Sequence, residues 1–128
     1  MGWRAETRAV IREYPRLKRA EAELKMQSLT PSLTGMPGGT EVSRTTENVA
    51  IRTLPPKQQR KLDAVRYAIE TTTRYRNGEL RIRLIDLIYW RKTHTLTGAA
   101  MKIHVAEITA KNWHNDFVEL VDAYMRIL

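Results

Sequence analysis

Four side chains near the C-terminal end of the chain have the chemistry and the spacing to read the edges of DNA bases. Lysine can donate to guanine, asparagine can pair with adenine through two hydrogen bonds, glutamate can accept from cytosine N4, and isoleucine can touch a thymine methyl group. Intervals of three and four residues place such side chains on one face of a helix. The candidate base-reading residues are Glu107, Ile108, Lys111 and Asn115.

The segment around these residues, 96–113, has the small and apolar residues of a helix-turn-helix. Ala100 is small where a second helix would cross the first, and Ile103 and Val105 bracket the turn as core residues. His104 falls at the turn position that usually takes a left-handed backbone conformation, in which histidine is enriched. We therefore predict two crossed helices, with the N-terminal part of the second helix in a major groove.

The opposite face of this second helix is apolar when the sequence is projected at 100° per residue. Ala106 stands at its N-cap, where Ser, Thr or Asp would normally accept a hydrogen bond from the first free N–H groups. Burial of the apolar face is therefore expected to hold this helix in place. We expect the following residues in the core: Ala110, Trp113, Phe117, Leu120, Val121, Tyr124 and Leu128.

The chain is strongly basic, with 22 Lys and Arg against 14 Asp and Glu and a formal net charge of +8. This charge favours a polyanionic partner, because each phosphate that is neutralised releases counterions. Double-stranded DNA is the predicted partner, and an acidic protein surface is the second candidate. Residues 79–128 are nearly neutral, so a basic helix within residues 57–76 is expected to help. The expected ligands of the DNA backbone are Arg91, Lys92, Lys102 and Asn112.

Catalytic and metal chemistry are not indicated by the sequence. His94, His104 and His114 recur every ten residues, which is not a spacing for metal ligands on one helix face, so each is expected to be a turn or surface residue. The chain has no cysteine, which excludes disulfides and thiolate metal sites. It has no apolar run long enough to cross a bilayer and no secretory apolar segment. We therefore predict no catalytic residue, metal or cofactor, no membrane partner and a soluble, cytosolic protein.

Helical periodicity and the placement of proline and glycine predict an all-α protein. We expect a helical bundle with a C-terminal helix-turn-helix and an irregular Gly/Pro-rich loop. The predicted segments are an N-terminal helical segment (1–28), the Gly/Pro-rich loop (29–42), a basic helical segment (43–78) and the helix-turn-helix DNA-binding region (79–128).

The N-terminal segment is expected to contain two helices. The first runs from Trp3 to Glu13 and is interrupted at Tyr14-Pro15, and the second runs from Pro15 to about Ser28. The apolar stripe of this pair is thin, which leaves open whether it packs on itself or against a second copy in a homodimer.

The middle of the chain carries further helix boundaries. Ser43 is suited to cap one helix, and Pro55-Pro56 ends or bends it. A longer helix should follow to about Arg76, closed by Asn77-Gly78, since both residues tolerate positive φ. The next helix, 79–92, is apolar over much of its circumference and should be the central buried element.

Taken together, these segments resemble the RinA-type family of bacteriophage late transcriptional regulators. That family is related to the ArpU-like phage regulators, whose C-terminal part is similar to region 4 of sigma factors. The resemblance covers most of the chain and rests on Glu13-Tyr14-Pro15, the loop 30–39, the segment 43–50, Ala68-Ile69-Glu70, Leu84-Ile85, Tyr89, Ile103-His104-Val105 and Thr109-Ala110.

The resemblance implies activation of late phage genes, which encode packaging and virion proteins, by promoter binding in the host bacterial cytoplasm. It places the DNA-reading helix at Ala106 to Asp116 and leaves contact with host RNA polymerase as an option. Two alternatives are a phage terminase small subunit that recognises packaging DNA and a helical module that binds an acidic protein. A closed ring of many subunits would favour the first, and shallow salt dependence would favour the second.

Overall fold

The computed structural model describes the backbone of residues 2–34 and 53–128 and the side chains of residues 2–26 and 53–128. All regular secondary structure in these ranges is helical, which confirms the predicted all-α fold. The helices are α1 (Trp3–Thr34), α2 (Pro56–Thr73), α3 (Gly78–Ile85, continued by a π-helical turn at Asp86–Trp90), α4 (Leu96–Lys102) and α5 (Glu107–Ile127).

Helix α1 is continuous, so the predicted interruption at Tyr14-Pro15 is wrong. A proline inside a helix has no N–H to donate to the carbonyl four residues earlier, which here belongs to Ile11. The indole Nε1 of Trp90 donates to that carbonyl oxygen at 2.9 Å. A side chain from α3 therefore replaces the lost backbone hydrogen bond, and the helix passes through Pro15.

Helix α1 also extends beyond its predicted end near Ser28. Residues 29–34, which were assigned to the Gly/Pro-rich loop, form its last turns. The rest of that loop and the predicted cap at Ser43 lie outside the described residues.

Helices α2 and α3 are joined by a corner whose backbone requires a glycine. Helix α2 ends at Thr73 rather than near Arg76, and Asn77 takes the left-handed conformation with φ of 59°. A Cβ atom on Gly78 would lie 2.5 Å from the carbonyl oxygen of Thr72. The Asn77-Gly78 pair therefore separates the two helices, as the sequence predicts.

Helix α3 is the central element that the sequence predicts, but its last turn is not α-helical. The amide of Arg91 donates to the carbonyl oxygen of Asp86 at 2.7 Å, five residues earlier. This wider turn ends at Lys92, whose φ is 57°. Leu84 and Leu87 pack towards α4, whereas Ile85 and Tyr89 join the core between α1, α2 and α5.

Helices α4 and α5 follow each other across a short turn, residues 103–106. Thr95 Oγ1 accepts from the amide of Gly98 at 3.1 Å and caps α4, whereas Ala106 stands at the N-cap of α5 and none of the described side chains caps that helix. His104 has a φ of 61°, which confirms the left-handed position predicted for it. Ala100 and Ile103 are buried with residues of α5 in one cluster.

The apolar face of α5 is buried along most of its length. The predicted core residues Ala110, Trp113, Phe117 and Val121 are buried, and Leu120 and Tyr124 are partly buried. Leu128 is 46% exposed because it follows the last residue of the helix, so its predicted burial is wrong. Val118 is buried although the projection did not include it. None of the helices in residues 2–34 and 53–128 has the length and hydropathy needed to span a bilayer.

Candidate nucleic-acid interface

The N-terminal turns of α5 present three of the four predicted base-reading residues to solvent. Glu107 and Lys111 are exposed, and Ile108 is 64% exposed although its side chain is apolar. The hydroxyl of Thr97, on α4, donates to Glu107 Oε1 at 3.1 Å and orients that carboxylate. Asn115 is half-buried one turn further along the helix.

Lys111 and Asn115 line a pocket of about 330 Å³ that lies between α1 and α5. We call it the basic pocket. Its other polar residues are Arg8 and Arg12 of α1 and His114 of α5. Ile88, Tyr89 and Leu96 provide its apolar walls, and its lining contains no Asp or Glu.

The cations of the basic pocket are not neutralised within the described part of the chain. Arg8, Arg12 and Lys111 form no ion pair with any carboxylate of residues 2–26 or 53–128. The guanidinium of Arg12 lies 5.7 Å from the centroid of the Tyr89 ring, which favours a position at the pocket. The pocket therefore carries a concentrated positive charge.

A hydrogen-bonded chain of three side chains forms the inner wall of the basic pocket. Tyr89 Oη lies 2.6 Å from His114 Nε2, and His114 Nδ1 lies 3.4 Å from Asn115 Oδ1. The rings of Tyr89 and His114 are stacked, with centroids 5.6 Å apart and an interplanar angle of 7°. This chain fixes the direction in which Asn115 points.

The protonation states in this chain follow from burial and from the two arginines. Burial lowers the pKa of His114, the hydrogen bond with Asn115 opposes this in part, and the charge of Arg8 adds a smaller lowering. Burial raises the pKa of Tyr89, against the charges of Arg8 and Arg12. At neutral pH, His114 is therefore neutral and Tyr89 keeps its proton. Tyr89 donates to Nε2, and Nδ1–H donates to the Asn115 carbonyl oxygen.

The structure does not bring the four predicted backbone ligands to one place. Arg91 is paired with Asp86 at 2.9 Å, and both Arg91 and Lys102 line a second groove of about 970 Å³. Lys92 is exposed at the corner after α3, and Asn112 is exposed on α5. Neither Arg91 nor Lys102 lines the basic pocket.

Sequence reasoning missed Arg8 and Arg12. Arginines recur every four residues at the start of the chain, at positions 4, 8, 12 and 16. This interval predicts a row on one helix face, and all four side chains are exposed on α1. The row could therefore have been found, but only the packing of α1 against α5 shows that it lies beside Lys111.

The three histidines are not brought together. His94 Nδ1 lies 2.8 Å from the hydroxyl of its neighbour Thr93, His104 lies at the corner before α5, and His114 is part of the basic pocket. His114 was predicted as a turn or surface residue, but it is half-buried. Among the described residues, no group of three or more His, Asp or Glu side chains could hold a metal ion.

Comparison of the chain with protein-family models, curated protein sequences and solved structures gives no match.

Proposed function

We propose that this protein binds double-stranded DNA sequence-specifically and places the N-terminal turns of α5 in the major groove. The observation that carries the proposal is the position of an exposed, mostly polar helix start, which includes Lys111, directly beside Arg8 and Arg12. None of these three cations is paired with a carboxylate of the described residues. Helix starts of this kind read bases in helix-turn-helix proteins, while nearby cations contact phosphates.

The packing of α4 supports this use of α5. Ala99 and Ala100 are buried against Ala110 and Trp113, and these small side chains let the two helices approach closely. The apolar face of α5 is occupied by the core, so its opposite face is available to a partner. Ile108 is 64% exposed, and contact with a thymine methyl group would bury it.

The other three side chains keep distinct roles. Lys111 can donate to guanine, and Glu107, oriented by Thr97, can accept from cytosine N4. The Asn115 carbonyl oxygen is occupied by His114, so its Nδ2 hydrogens remain as the donors that an incoming acceptor would meet.

The finer function follows from the order of motifs that resembles the RinA-type family. We infer that the protein activates late phage genes from their promoters in the cytoplasm of a bacterial host, with host RNA polymerase as a further partner. A footprint on the late-promoter region of its own phage tests this inference. Protection of promoter DNA supports it, and protection confined to a packaging site would support the terminase alternative instead.

The DNA-binding proposal is tested with the whole chain. Duplexes that bind are selected from a random pool, and affinities are then measured for the selected sequence and a scrambled one. Ile108→Ala should weaken binding to the selected duplex by about 1 kcal/mol, with a smaller effect on the scrambled duplex. Lys111→Ala also removes a cation of the basic pocket, so it should weaken binding to both duplexes, and to the selected one by about 1–3 kcal/mol more. Lys25→Ala is the control, because Lys25 is exposed and lies about 25 Å from Arg8 along α1.

Two outcomes contradict the proposal. The first is a pool in which no sequence is enriched by the wild-type protein. The second is an equal loss of affinity for both duplexes in the Ile108 and Lys111 variants, because base readers must act selectively.

A further inference from the structure

We propose that the basic pocket is a phosphate site, and that a phosphate of the DNA backbone occupies it while α5 reads the bases. This inference rests on the proposed function. It assigns to α1, outside the α4–α5 pair, the role of anchoring the duplex.

The first argument is the balance of donors and acceptors in the pocket. Arg8, Arg12 and Lys111 can only donate hydrogen bonds. Tyr89 donates to His114 Nε2, and the Asn115 carbonyl oxygen accepts from His114 Nδ1. His114 Nε2 is thus occupied, the Asn115 carbonyl oxygen has accepted one hydrogen bond, and Tyr89 is buried. The groups that face an incoming molecule are therefore mostly donors, namely the three cations and Nδ2 of Asn115.

The second argument is charge. Three cations line one pocket that contains no Asp or Glu, and none of them has an ion pair in the described residues. Unneutralised cations repel one another, so an anion that binds there relieves this repulsion as well as gaining its own hydrogen bonds. Phosphate oxygens accept from arginine in a paired geometry and can accept from several donors at once. The pocket therefore suits a phosphate group.

The third argument is position, which favours the DNA backbone over a free phosphate. Lys111 lines the pocket and lies only three residues, about 4.5 Å along the helix axis, from Ile108. A phosphate in the pocket would thus sit beside the proposed base-reading face, as a strand that flanks the major groove does. The apolar walls Ile88 and Leu96 offer nothing to a second anionic group of a small phosphorylated compound.

The test compares two double variants that lose the same charge. Arg8→Gln/Arg12→Gln removes the two arginines of the pocket, and Lys25→Gln/Arg126→Gln removes two exposed cations that line neither the basic pocket nor the second groove. Affinity for the selected and the scrambled duplex is measured between about 50 and 200 mM salt. Circular dichroism confirms that both variants are folded.

We expect the pocket variant to bind both duplexes about 10- to 30-fold more weakly near 150 mM salt. The slope of log K against log salt should become shallower by about one, the value for one lost phosphate contact. The ratio of affinities for the two duplexes should stay unchanged, because phosphate contacts carry no sequence information. The control variant should change affinity less than about threefold.

Three results would overturn the phosphate assignment. The first is a pocket variant that behaves like the control, and the second is a loss of sequence preference with an unchanged salt slope. The third is saturable binding of inorganic phosphate that is lost in the pocket variant while binding to both duplexes is kept. The last result would identify a free phosphate as the occupant. Absence of sequence preference in the wild type would instead sink the proposed function, and the salt slopes on random duplex would still test the pocket.

Discussion

The two ends of α1 use their charged side chains in opposite ways. Where α1 meets α2, cations and acids are matched, with Glu21 paired to Arg66 at 2.7 Å and Glu13 to Lys61 at 3.6 Å. Where α1 meets α5, Arg8 and Arg12 have no carboxylate partner among the described residues. The comparison indicates that charges at the α2 end stabilise the fold, whereas those at the α5 end are available to a ligand.

The largest expected effect tests whether the α2 end depends on apolar packing rather than on its ion pairs. Leu17 is fully buried against Leu54 and Leu62. Leu17→Ala should lower the free energy of unfolding by about 3 kcal/mol, because it removes buried methyl groups and leaves a cavity. Denaturant titration followed by circular dichroism measures this. The exposed neighbour Lys18→Ala is the control, and a loss below about 1 kcal/mol at Leu17 would show that the cluster is loosely packed.

The second-largest effect on stability is expected from the hydrogen bond that joins Trp90 to α1 between its two ends. Trp90→Phe removes the donor to the Ile11 carbonyl, which Pro15 cannot satisfy, and should cost about 1–3 kcal/mol. Pro15→Ala restores a backbone donor to the same carbonyl. Trp90→Phe should therefore cost less in the Pro15→Ala background, and a double-mutant cycle measures this coupling. Additive losses would show that the indole hydrogen bond does not compensate for the proline.

The ion pairs at the α2 end should contribute less than its core. Burial alone would raise the pKa of Glu21, but hydrogen bonds from Gln59 and Arg66 and the charges of Arg66 and Lys25 hold it below 4.5. Glu21→Gln should cost about 1–2 kcal/mol at neutral pH, with the upper value limited because Arg66 is partly exposed. Because folding lowers the pKa of this carboxyl, the wild-type advantage should decline below pH 4.5 and be lost as the pH falls through the lower pKa of the folded state. An equal difference at pH 7 and pH 3 would contradict this account.

The α5 end should show its own, smaller pH dependence. The pKa of His114 lies below its ordinary value of 6.5 in the folded state, so the unfolded chain takes up this proton first as pH falls. The contribution of His114 is therefore complete above pH 6.5 and declines below it, until the folded His114 is also protonated. His114→Gln should remove this part of the pH dependence of unfolding. A wild-type stability that rises as pH falls from 7.5 to 6 would contradict the predicted sign.

The smallest expected effect on stability tests most directly whether the arginines at the α5 end of α1 contribute to the fold. Arg8→Gln and Arg12→Gln should each change the free energy of unfolding by less than about 0.5 kcal/mol, because both side chains are exposed and neither is paired with a carboxylate of the described residues. Denaturant titration followed by circular dichroism measures this change in the free energy of unfolding. A loss above about 1 kcal/mol at either position would place these arginines in the framework of the fold.

The fold could be predicted where its causes are local. Helical periodicity gave the all-α class and the buried face of α5, and residue types gave the left-handed position at His104. The continuity of α1 could not be predicted, because the donor that tolerates Pro15 is Trp90, far away in the sequence. The Leu128 prediction failed for a simpler reason, since a helical projection does not show where the helix ends.

The candidate site, too, could be predicted only where its causes are local. The exposed start of α5 follows from the spacing of Ile108 and Lys111 on one helix, and the structure places both in solvent. The contribution of Arg8 and Arg12 depends on which helix packs beside α5, and spacing within α1 carries no information about that. Base reading itself stays a prediction.

Within residues 2–34 and 53–128, three corners, after α2, after α3 and before α5, turn through residues with positive φ that are not glycine: Asn77, Lys92 and His104. Asparagine tolerates this conformation, but the Cβ atoms of Lys92 and His104 each cost the native state about 1–2 kcal/mol. Part of the free energy gained by packing α3, α4 and α5 is therefore offset by the cost of the left-handed backbone between them. For anyone who wishes to engineer a more heat-resistant version, His104 is the place to introduce glycine, because it lies outside the basic pocket and, unlike Lys92, is not an expected ligand of the DNA backbone.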